Sequence, residues 1–244
     1  MAIKAILFDL YGTLIDIETD ESMEEIYRSI AHFLTYHDVY VHRGRVQDSY
    51  YQIMKQQKEA GGEEHPEIDV EAIWNAFLRQ EGMECAEKRK QLAIVLAQMY
   101  RGISRKRLQL YPSVKTVLDQ LRMQYRLALI SDAQPCFAIP EIRAVGLDGY
   151  FDPIVISARY GFRKPDRRLI EKALDSLQLT PDEALSVGND MFRDIYGAKR
   201  AGIKTIFVDS NQGAKSYNDV APDYFAPRFE DVLTGVSALR DGQP

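Results

Sequence analysis

The sequence has few of the residues that stabilise secreted or zinc-dependent folds. It contains two cysteines and one tryptophan in 244 residues. The cysteines lie far apart in unrelated contexts, which excludes a disulfide framework and a cysteine-rich zinc site, and we expect a cytoplasmic location. The histidines lack the spacing of a zinc-binding helix, which argues against a metal role for them. They are His32, His37, His42 and His65.

Long apolar runs and a large excess of charge of one sign are also missing. No segment approaches the length of a membrane span, and the N-terminus lacks the basic and apolar regions of a signal peptide. The formal net charge of −5 argues against nucleic acid or an anionic membrane as the main partner, and it leaves room for a local basic pocket. We therefore expect a small-molecule substrate, with no nucleic-acid and no membrane partner.

What the chain does contain is an α/β pattern, interrupted once. Residues 3–14 combine a short apolar run, a carboxylate and a Gly-Thr turn, as at the end of a buried strand. Strands and helices then alternate from residue 110 onward, which predicts a parallel sheet with helices on both faces. The predicted strands are 126–130, 153–157, 184–187, 204–208 and 223–226, and the predicted helices are 112–123, 167–177 and 194–201.

The interruption predicts a helical insertion. Between residues 18 and 107 the strand signals vanish, and apolar residues recur about every four positions. We predict a catalytic core formed by residues 1–16 and 108–244 and a cap formed by residues 17–107. The expected cap helices are 22–36, 45–59, 70–80 and 87–100, with 104–107 as a solvated linker back to the core. Beyond Gly235 we expect a helix end and a disordered tip.

Polar clusters follow four of the core segments. Asp9 follows the first strand, Ser131 follows the strand at 126–130, Lys164 lies in the Gly-Phe-Arg-Lys-Pro-Asp segment, and residues 188–194 follow the strand at 184–187. In parallel sheets, ligands bind beyond the carboxyl ends of the strands. We therefore expect these side chains to meet at one edge of the sheet.

The residue types in these clusters suit the chemistry of a phosphoryl or activated carbon centre. An ionised Asp9 is a competent nucleophile when the electrophile is held in line. Lys164 can neutralise negative charge, and the Ser131 hydroxyl can donate a hydrogen bond. Each residue also has a simpler interpretation, because an Asp or Ser can cap a turn and a loop Lys can be solvated.

Taken in order, the four clusters resemble the four motifs of the haloacid dehalogenase superfamily, and the helical insertion lies where that superfamily places its cap. The resemblance implies a Rossmann-like core and a covalent intermediate on Asp9, with Tyr11, Ser131 and Lys164 also in the catalytic site. It further implies that the substrate is bound by Thr13, Ser131, Asp132 and Lys164.

The same resemblance implies a Mg²⁺ cofactor. Asp9 and the carbonyl of Tyr11 would be ligands, and the third ligand is open, because Asn189 occupies the position where the family usually has Asp. Asp190 could replace it by a shift of one residue, or Asn189 could coordinate through its amide oxygen while Asp194 supports it. Asp194 alternatively serves as a residue at a helix start.

Tyr11 is the larger departure from the family pattern. Phosphatases of the superfamily carry a second Asp at this position as general acid and base, whereas a tyrosine is a poor base at neutral pH. The Asp-X-Tyr-Gly-Thr pattern resembles the dehalogenase branch, although Ser131-Asp132 and the acidic fourth motif do not. We favour a Mg²⁺-dependent phosphatase that acts on a small phosphorylated metabolite with a rerouted acid/base step. The alternatives are a 2-haloacid dehalogenase and a non-catalytic binding protein.

Substrate choice should come from the cap, which closes over the site and excludes water. Arg28, Arg43 and Arg45 are candidates for contacts with an anionic substrate, and surface charge is the simpler role for each. The sequence allows a monomer or a homodimer.

Overall fold

The computed structural model describes residues 2–240, and it places six parallel strands in one sheet. A separate pair of strands, β2 and β3, lies outside this sheet. In chain order, all the strands are β1 (Ala5–Phe8), β2 (Ile15–Thr19), β3 (Arg105–Leu110), β4 (Arg126–Ser131), β5 (Ile154–Ile156), β6 (Ala184–Gly188), β7 (Lys204–Val208) and β8 (Tyr224–Ala226). The order across the sheet is β5-β4-β1-β6-β7-β8. The predicted α/β fold class is confirmed, and each predicted core strand is present within a few residues.

Helices cover both faces of this sheet and form the cap. They are α1 (Glu24–Thr35), α2 (Arg43–Ala60), α3 (Val70–Gln80), α4 (Ala86–Ser104), α5 (Val114–Leu121), α6 (Pro135–Ala144), α7 (Arg168–Leu177), α8 (Gly197–Arg200) and α9 (Val232–Arg240). All four helices predicted for the insertion are confirmed, and the bounds of α3 match the prediction residue for residue.

The apolar residues of β1 are buried on both faces because the strand lies in the middle of the sheet. Side chains alternate along a strand. Ile6 and Phe8 therefore pack on the side of α5, α6 and α9, whereas Ala5 and Leu7 pack on the side of α7 and α8. Burial on both sides explains why the strand appears in the sequence as a continuous apolar run.

The cap has a hydrophobic core of its own, built by α1 to α4. Trp74 lies at its centre, and the ring centroid of Tyr50 lies 4.9 Å from that of Trp74 and 4.8 Å from that of Tyr100. These large side chains are fully or almost fully buried. The regular spacing of apolar residues in this part of the sequence therefore reflects packing between helices rather than a binding site.

The expectation that the insertion contains no strand is wrong. β2 and β3 pair antiparallel at its two ends, from Ile15 opposite Leu110 to Thr19 opposite Arg105, so that the predicted linker at 104–107 belongs partly to β3. The ribbon escaped prediction because its exposed positions are charged, and Arg107 forms ion pairs with Asp16 and Glu18 across it. The predicted boundaries after residues 16 and 107 fall inside these two strands.

Two further elements differ from the prediction. Helix α6 was not predicted, because Pro135 and Pro140 weaken its helical signal, although Pro135 occupies the first turn, where proline is tolerated. The helix predicted at 194–201 begins earlier, as a wide π-helical turn over Met191–Tyr196 that α8 continues. The predicted disordered tip at the C-terminus lies outside the described residues.

A second contact joins cap and core, far from β2 and β3 in the sequence. The Glu67 N–H donates to the Gly161 carbonyl at 3.0 Å, and the Arg163 N–H donates to the His65 carbonyl at 3.0 Å. This short pairing fixes the loop before α3 against the segment that leads into Lys164. Within residues 2–240, no helix has the length and apolar character needed to cross a membrane.

The burial pattern of α4 predicts a contrast between two neighbouring positions. Leu96 is fully buried in the cap core, whereas Val95 is 38% exposed. We expect Leu96→Ala to lower the free energy of unfolding by about 2–5 kcal/mol, because it removes packed methyl groups and leaves a cavity. Val95→Ala should change it by less than about 0.5 kcal/mol. Urea denaturation followed by far-ultraviolet circular dichroism measures both, and equal losses would contradict the assigned orientation of α4.

Candidate active site

The site forms where three central strands end side by side. β1, β4 and β6 are neighbours in the sheet, and their last residues are followed by Asp9, Asp132 and Asn189. β1 lies where the strand order reverses direction, because the chain passes first to β4 and β5 on one side and later to β6 on the other. Loops diverge at such a point and leave a crevice that can accept a ligand.

Lys164 is the centre of the charge arrangement. Its Nζ lies 2.6 Å from Asp9 Oδ1 and 2.6 Å from Asp194 Oδ1, and it donates a third hydrogen bond to the Ile130 carbonyl at 3.3 Å. An ammonium has three N–H donors, so each of them has an acceptor here. Burial opposes the charged form, but Asp194, Asp9 and Asp132 outweigh it and raise the pKa of Lys164.

Thr13 and Asn189 complete the surroundings of the Asp9 carboxylate. Thr13 Oγ1 lies 2.8 Å from Asp9 Oδ2 and 3.0 Å from Asn189 Oδ1. The turn between Asp9 and Thr13 requires Gly12, which has φ +91° and packs so closely on the Asn189 amide that a Cβ atom would lie 2.3 Å from Nδ2. The glycine therefore allows the first and fourth motifs to approach each other.

Asp194 and Asp190 have different hydrogen-bond partners, although both carboxylates are buried. Asp194 Oδ2 accepts the N–H groups of Asn189 and Asp190, at 3.1 and 3.0 Å, while its other oxygen faces Lys164. Burial and the charge of Asp9 raise the pKa of Asp194. Asp190 instead caps the π-helical turn, accepting from Phe192 N and Arg193 N, and its second oxygen pairs with the Arg193 side chain.

The second motif contributes two polar groups without protein partners. Ser131 is 1% exposed, and within the described part of the chain neither its Oγ nor Asp132 Oδ2 has a hydrogen-bond partner. Asp132 Oδ1, by contrast, accepts the Lys164 N–H at 2.9 Å. Buried polar atoms are usually paired, so the unpaired oxygen of Asp132, a residue that lines the neighbouring cavities, indicates a place for a ligand. Ser131 itself lines neither of these cavities.

The Tyr11 hydroxyl is already engaged in a hydrogen bond and is not available as a general acid or base. The hydroxyl donates to Glu141, which is also held by Arg101 through contacts of 2.8 and 3.1 Å. The Arg101 guanidinium lies 5.4 Å from the centre of the Tyr11 ring. Burial, together with the Glu141 charge, raises the pKa of Tyr11, so this phenol keeps its proton.

Two cavities that share three lining residues adjoin these groups. A small one of about 30 Å³ is lined by Asp9, Tyr11, Asp132, Lys164, Asn189, Arg193 and Asp194. A larger cleft of about 430 Å³ lies between cap and core. Its charged lining includes Arg101, Arg163 and Arg193, together with Glu21 and Glu67. With Asp132, three basic and three acidic side chains line the cleft, so it offers cationic groups to an anion without carrying a net positive charge.

The structure thus brings together most of the residues predicted for the site. Asp190 is the exception among the predicted metal ligands, because it does not line the small cavity and its carboxylate serves as a cap. The arginines predicted for anion contacts lie instead in ion pairs with Glu25, Glu24 and Glu81, and none lines the cleft. They are Arg28, Arg43 and Arg45.

Arg101 and Arg193 were not predicted as site residues. Arg193 lies inside the fourth motif, three positions after Asp190, and that spacing on a helical turn was an available signal. Arg101 lies near the end of a long cap helix that carries other charged residues, so only the tertiary contact with Glu141 distinguishes it. Both line the cleft.

A family model described as haloacid dehalogenase-like hydrolase matches residues 3–202, which is most of the sequence. The chain belongs to that family. The prediction of a hydrolase with this core is therefore confirmed.

This hydrolase also has named relatives. It is 30% identical over 206 residues to a glyceraldehyde 3-phosphate phosphatase of Pyrococcus abyssi, and the match covers 84% of this chain and 81% of the relative.

A second relative is a phosphoserine phosphatase of Thermus thermophilus, 31% identical over 149 residues that cover 59% of each chain. Solved structures of similar shape include a phosphatase of the family from Thermococcus onnurineus, with a TM-score of 0.60 and 20% identity over 98% of this hydrolase and 100% of that chain. Another is a 2-haloacid dehalogenase from Pseudomonas syringae, with a TM-score of 0.66 and 20% identity over 97% and 98%. At these identities the structural matches establish the fold alone.

The position of Lys164 between two buried carboxylates predicts a pH-dependent loss of stability. We expect Lys164→Met to lower the free energy of unfolding by about 3–5 kcal/mol near neutral pH, because Asp9 and Asp194 lose their counter-charge. Burial and the charge of Asp9 already raise the folded-state pKa of Asp194, and removal of the ammonium raises it further. The deficit should therefore shrink as the pH falls from about 8 to about 5 and Asp194 binds a proton.

Urea denaturation at the two pH values measures this change. Lys172→Met, on the exposed side of α7, is the matched control and should change the free energy of unfolding by less than about 0.5 kcal/mol at either pH. A deficit of Lys164→Met that is the same at both pH values would show that the ion pairs do not govern stability.

Proposed function

We propose that this hydrolase is a Mg²⁺-dependent phosphatase that acts on a small phosphorylated metabolite. The observation that carries the proposal is the contact of Lys164 Nζ with Asp9 and Asp194 at 2.6 Å, directly beside the small cavity. The ammonium holds the Asp9 carboxylate in place as a nucleophile and offers positive charge to a phosphoryl group bound next to it. The proposed substrate class also agrees with the phosphatase names of the sequence relatives.

The chain's own residues have distinct roles in this proposal. Asp9 attacks phosphorus and forms the covalent intermediate. Thr13 orients the Asp9 carboxylate through its 2.8 Å hydrogen bond, and the unpaired Ser131 hydroxyl donates to a phosphoryl oxygen. The cap covers the cleft, which excludes water from the reacting groups.

The donor set fits a magnesium site that the substrate completes. Asp9 Oδ2 and Asn189 Oδ1 both approach one hydroxyl, that of Thr13, whose single hydrogen can satisfy only one of them. With the Tyr11 carbonyl, they supply the few protein oxygens that Mg²⁺ requires besides water and phosphate. The Asn189 N–H donates a hydrogen bond to the Asp194 carboxylate, which fixes the Asn189 backbone. Bound there, Mg²⁺ would neutralise the phosphate charge that otherwise repels Asp9.

The described residues contain no group of three or more His, Cys, Asp or Glu arranged to hold a metal on their own. An affinity that depends on substrate oxygens is consistent with that finding. The 2-haloacid dehalogenase remains the second candidate because of Tyr11, and the bond from Tyr11 to Glu141 favours neither reaction. A cytoplasmic location agrees with the two free thiols, and whether the protein is a monomer or a homodimer stays a prediction.

Asp9→Asn tests the proposal most directly. We expect wild type to release phosphate from p-nitrophenyl phosphate in the presence of Mg²⁺, and the variant to lose about 10³-fold or more of kcat/KM because the amide is no nucleophile. Asp148→Asn is the matched control, since this exposed carboxylate lies outside the site and pairs with the exposed Arg143 at 3.4 Å. It should keep full activity. Halide release from a 2-haloacid without any phosphate release would establish the dehalogenase instead.

Asn189→Asp tests the metal site. We expect the added carboxylate to tighten Mg²⁺ binding by about tenfold, because the charge of the ligands governs the affinity of oxygen sites for hard cations. Isothermal titration calorimetry without substrate measures the change, and the same substitution at Asn75 in the cap should leave it unaltered. An unchanged Mg²⁺ affinity would exclude Asn189 from the site.

A further inference from the structure

Position 11 leaves the proposed reaction without a general acid. The Tyr11 hydroxyl donates to Glu141, and its pKa is raised by burial, so it neither gives up its proton nor accepts another. A phosphate ester whose leaving oxygen is basic needs a proton at that oxygen as the bond breaks. The acid must therefore lie elsewhere in the site.

The two cavities limit where the leaving oxygen can lie. The small cavity of about 30 Å³ beside Asp9 accommodates a group of a few atoms, so the rest of a metabolite must extend into the cleft of about 430 Å³. The leaving oxygen connects the two parts of the substrate. It therefore lies at the boundary between the cavities, within reach of residues that line both.

Among the described residues, three line both cavities: Tyr11, Asp132 and Arg193. Tyr11 is held by Glu141. An arginine does not release its proton in proteins, and Arg193 is paired with Asp190 at 2.8 Å. Asp132 is the remaining group, and its Oδ2 is buried with no hydrogen-bond partner in the described chain.

We propose that Asp132 is the general acid and base of this phosphatase, in place of the acid that is missing at position 11. The inference rests on the function proposed above. Asp132 Oδ1 accepts the Lys164 N–H at 2.9 Å, which leaves the unpaired Oδ2 as the oxygen that carries the proton. The carboxyl follows the last residue of β4, so the sheet itself fixes its position relative to Asp9 at the end of β1.

The surroundings of Asp132 favour the protonated form that an acid requires. Burial raises the pKa of this carboxyl, and the Asp194 charge adds to the effect. The Lys164 ammonium, the Lys164 N–H and Arg193 act in the opposite direction without cancelling it. A protonated Asp132 also avoids repulsion between a carboxylate and the phosphoryl group, because it can donate a hydrogen bond.

The proton returns in the second half of the reaction. In the first step, an Asp9 oxygen bonds to phosphorus, the bond from phosphorus to the leaving oxygen breaks, and the Asp132 proton moves to that oxygen. In the second step, water bonds to phosphorus and gives a proton to Asp132, and the bond between phosphorus and Asp9 breaks. The products are an alcohol and inorganic phosphate, and both side chains return to their starting forms.

The experiment compares two leaving groups in wild type and Asp132→Asn with Mg²⁺. p-Nitrophenyl phosphate has a leaving group that departs without a proton, whereas phenyl phosphate has a more basic one. We expect Asp132→Asn to lower kcat/KM for phenyl phosphate by about 10²-fold or more and for p-nitrophenyl phosphate by less than about tenfold. The variant should also release a burst of one nitrophenol per active site, because water attack on the intermediate is slowed.

Glu67→Gln is the matched control. Glu67 is a carboxylate of the same cleft that does not line the small cavity, and its oxygens accept from Ile68 N at 2.8 Å and Ser157 Oγ at 2.7 Å. It should change both substrates by the same factor. The asparagine retains the oxygen that accepts the Lys164 N–H, and an unchanged melting temperature and near-ultraviolet circular dichroism spectrum verify the fold.

The outcomes separate the two proposals. An active wild type with equal losses for both substrates in Asp132→Asn and no burst would overturn the role of Asp132 and leave the phosphatase intact. The same follows if Glu67→Gln, rather than Asp132→Asn, shows the dependence on leaving group. A wild type that releases phosphate from neither substrate overturns the phosphatase and, with it, the role of Asp132.

Discussion

The site depends on one ammonium group placed between two buried carboxylates. Lys164 Nζ contacts Asp9 and Asp194 at 2.6 Å, and all three side chains are nearly inaccessible to water. Two buried carboxylates that share one counter-charge repel each other where little water screens them, and the ammonium between them offsets that repulsion. Through Asp194 the same arrangement reaches the backbone of Asn189, and through Asp9 it reaches Thr13. Three segments distant in sequence are thereby fixed around one charge.

Tyr11 adds a second buried polar network, which faces the cap. Its hydroxyl donates to Glu141 on α6, which also accepts from Arg101 on α4, so a residue of the first motif contributes to the contact between core and cap. A buried carboxylate needs such partners because an unpaired charge in the interior is costly. The Tyr11 hydroxyl therefore has a structural role, in which it stabilises a buried carboxylate of the contact between core and cap.

The cap is attached to the core at two places, and both bear on the site. The antiparallel pair of β2 and β3 connects it to the chain just after Asp9, and the pairing of residues 65–67 with 161–163 attaches it just before Lys164. The cleft lies between these attachments, and its three arginines come from both parts, Arg101 from the cap and Arg163 and Arg193 from the core. The charged lining of the cleft is thus assembled by the fold from cap and core together.

The sequence by itself determined the class of fold, the core strands, the cap helices and the positions of the four motifs. These features follow from local patterns, because strands buried on both faces form apolar runs and packed helices repeat about every four residues. The ribbon of β2 and β3 was missed, since its charged residues pair across strands that are distant in sequence. The partners of individual site residues were also beyond sequence reasoning. Only the tertiary structure decided that Asp190 is a helix cap, that Tyr11 is bound to Glu141, and that Asp132 lines both cavities, because each outcome depends on which groups meet across the sheet edge.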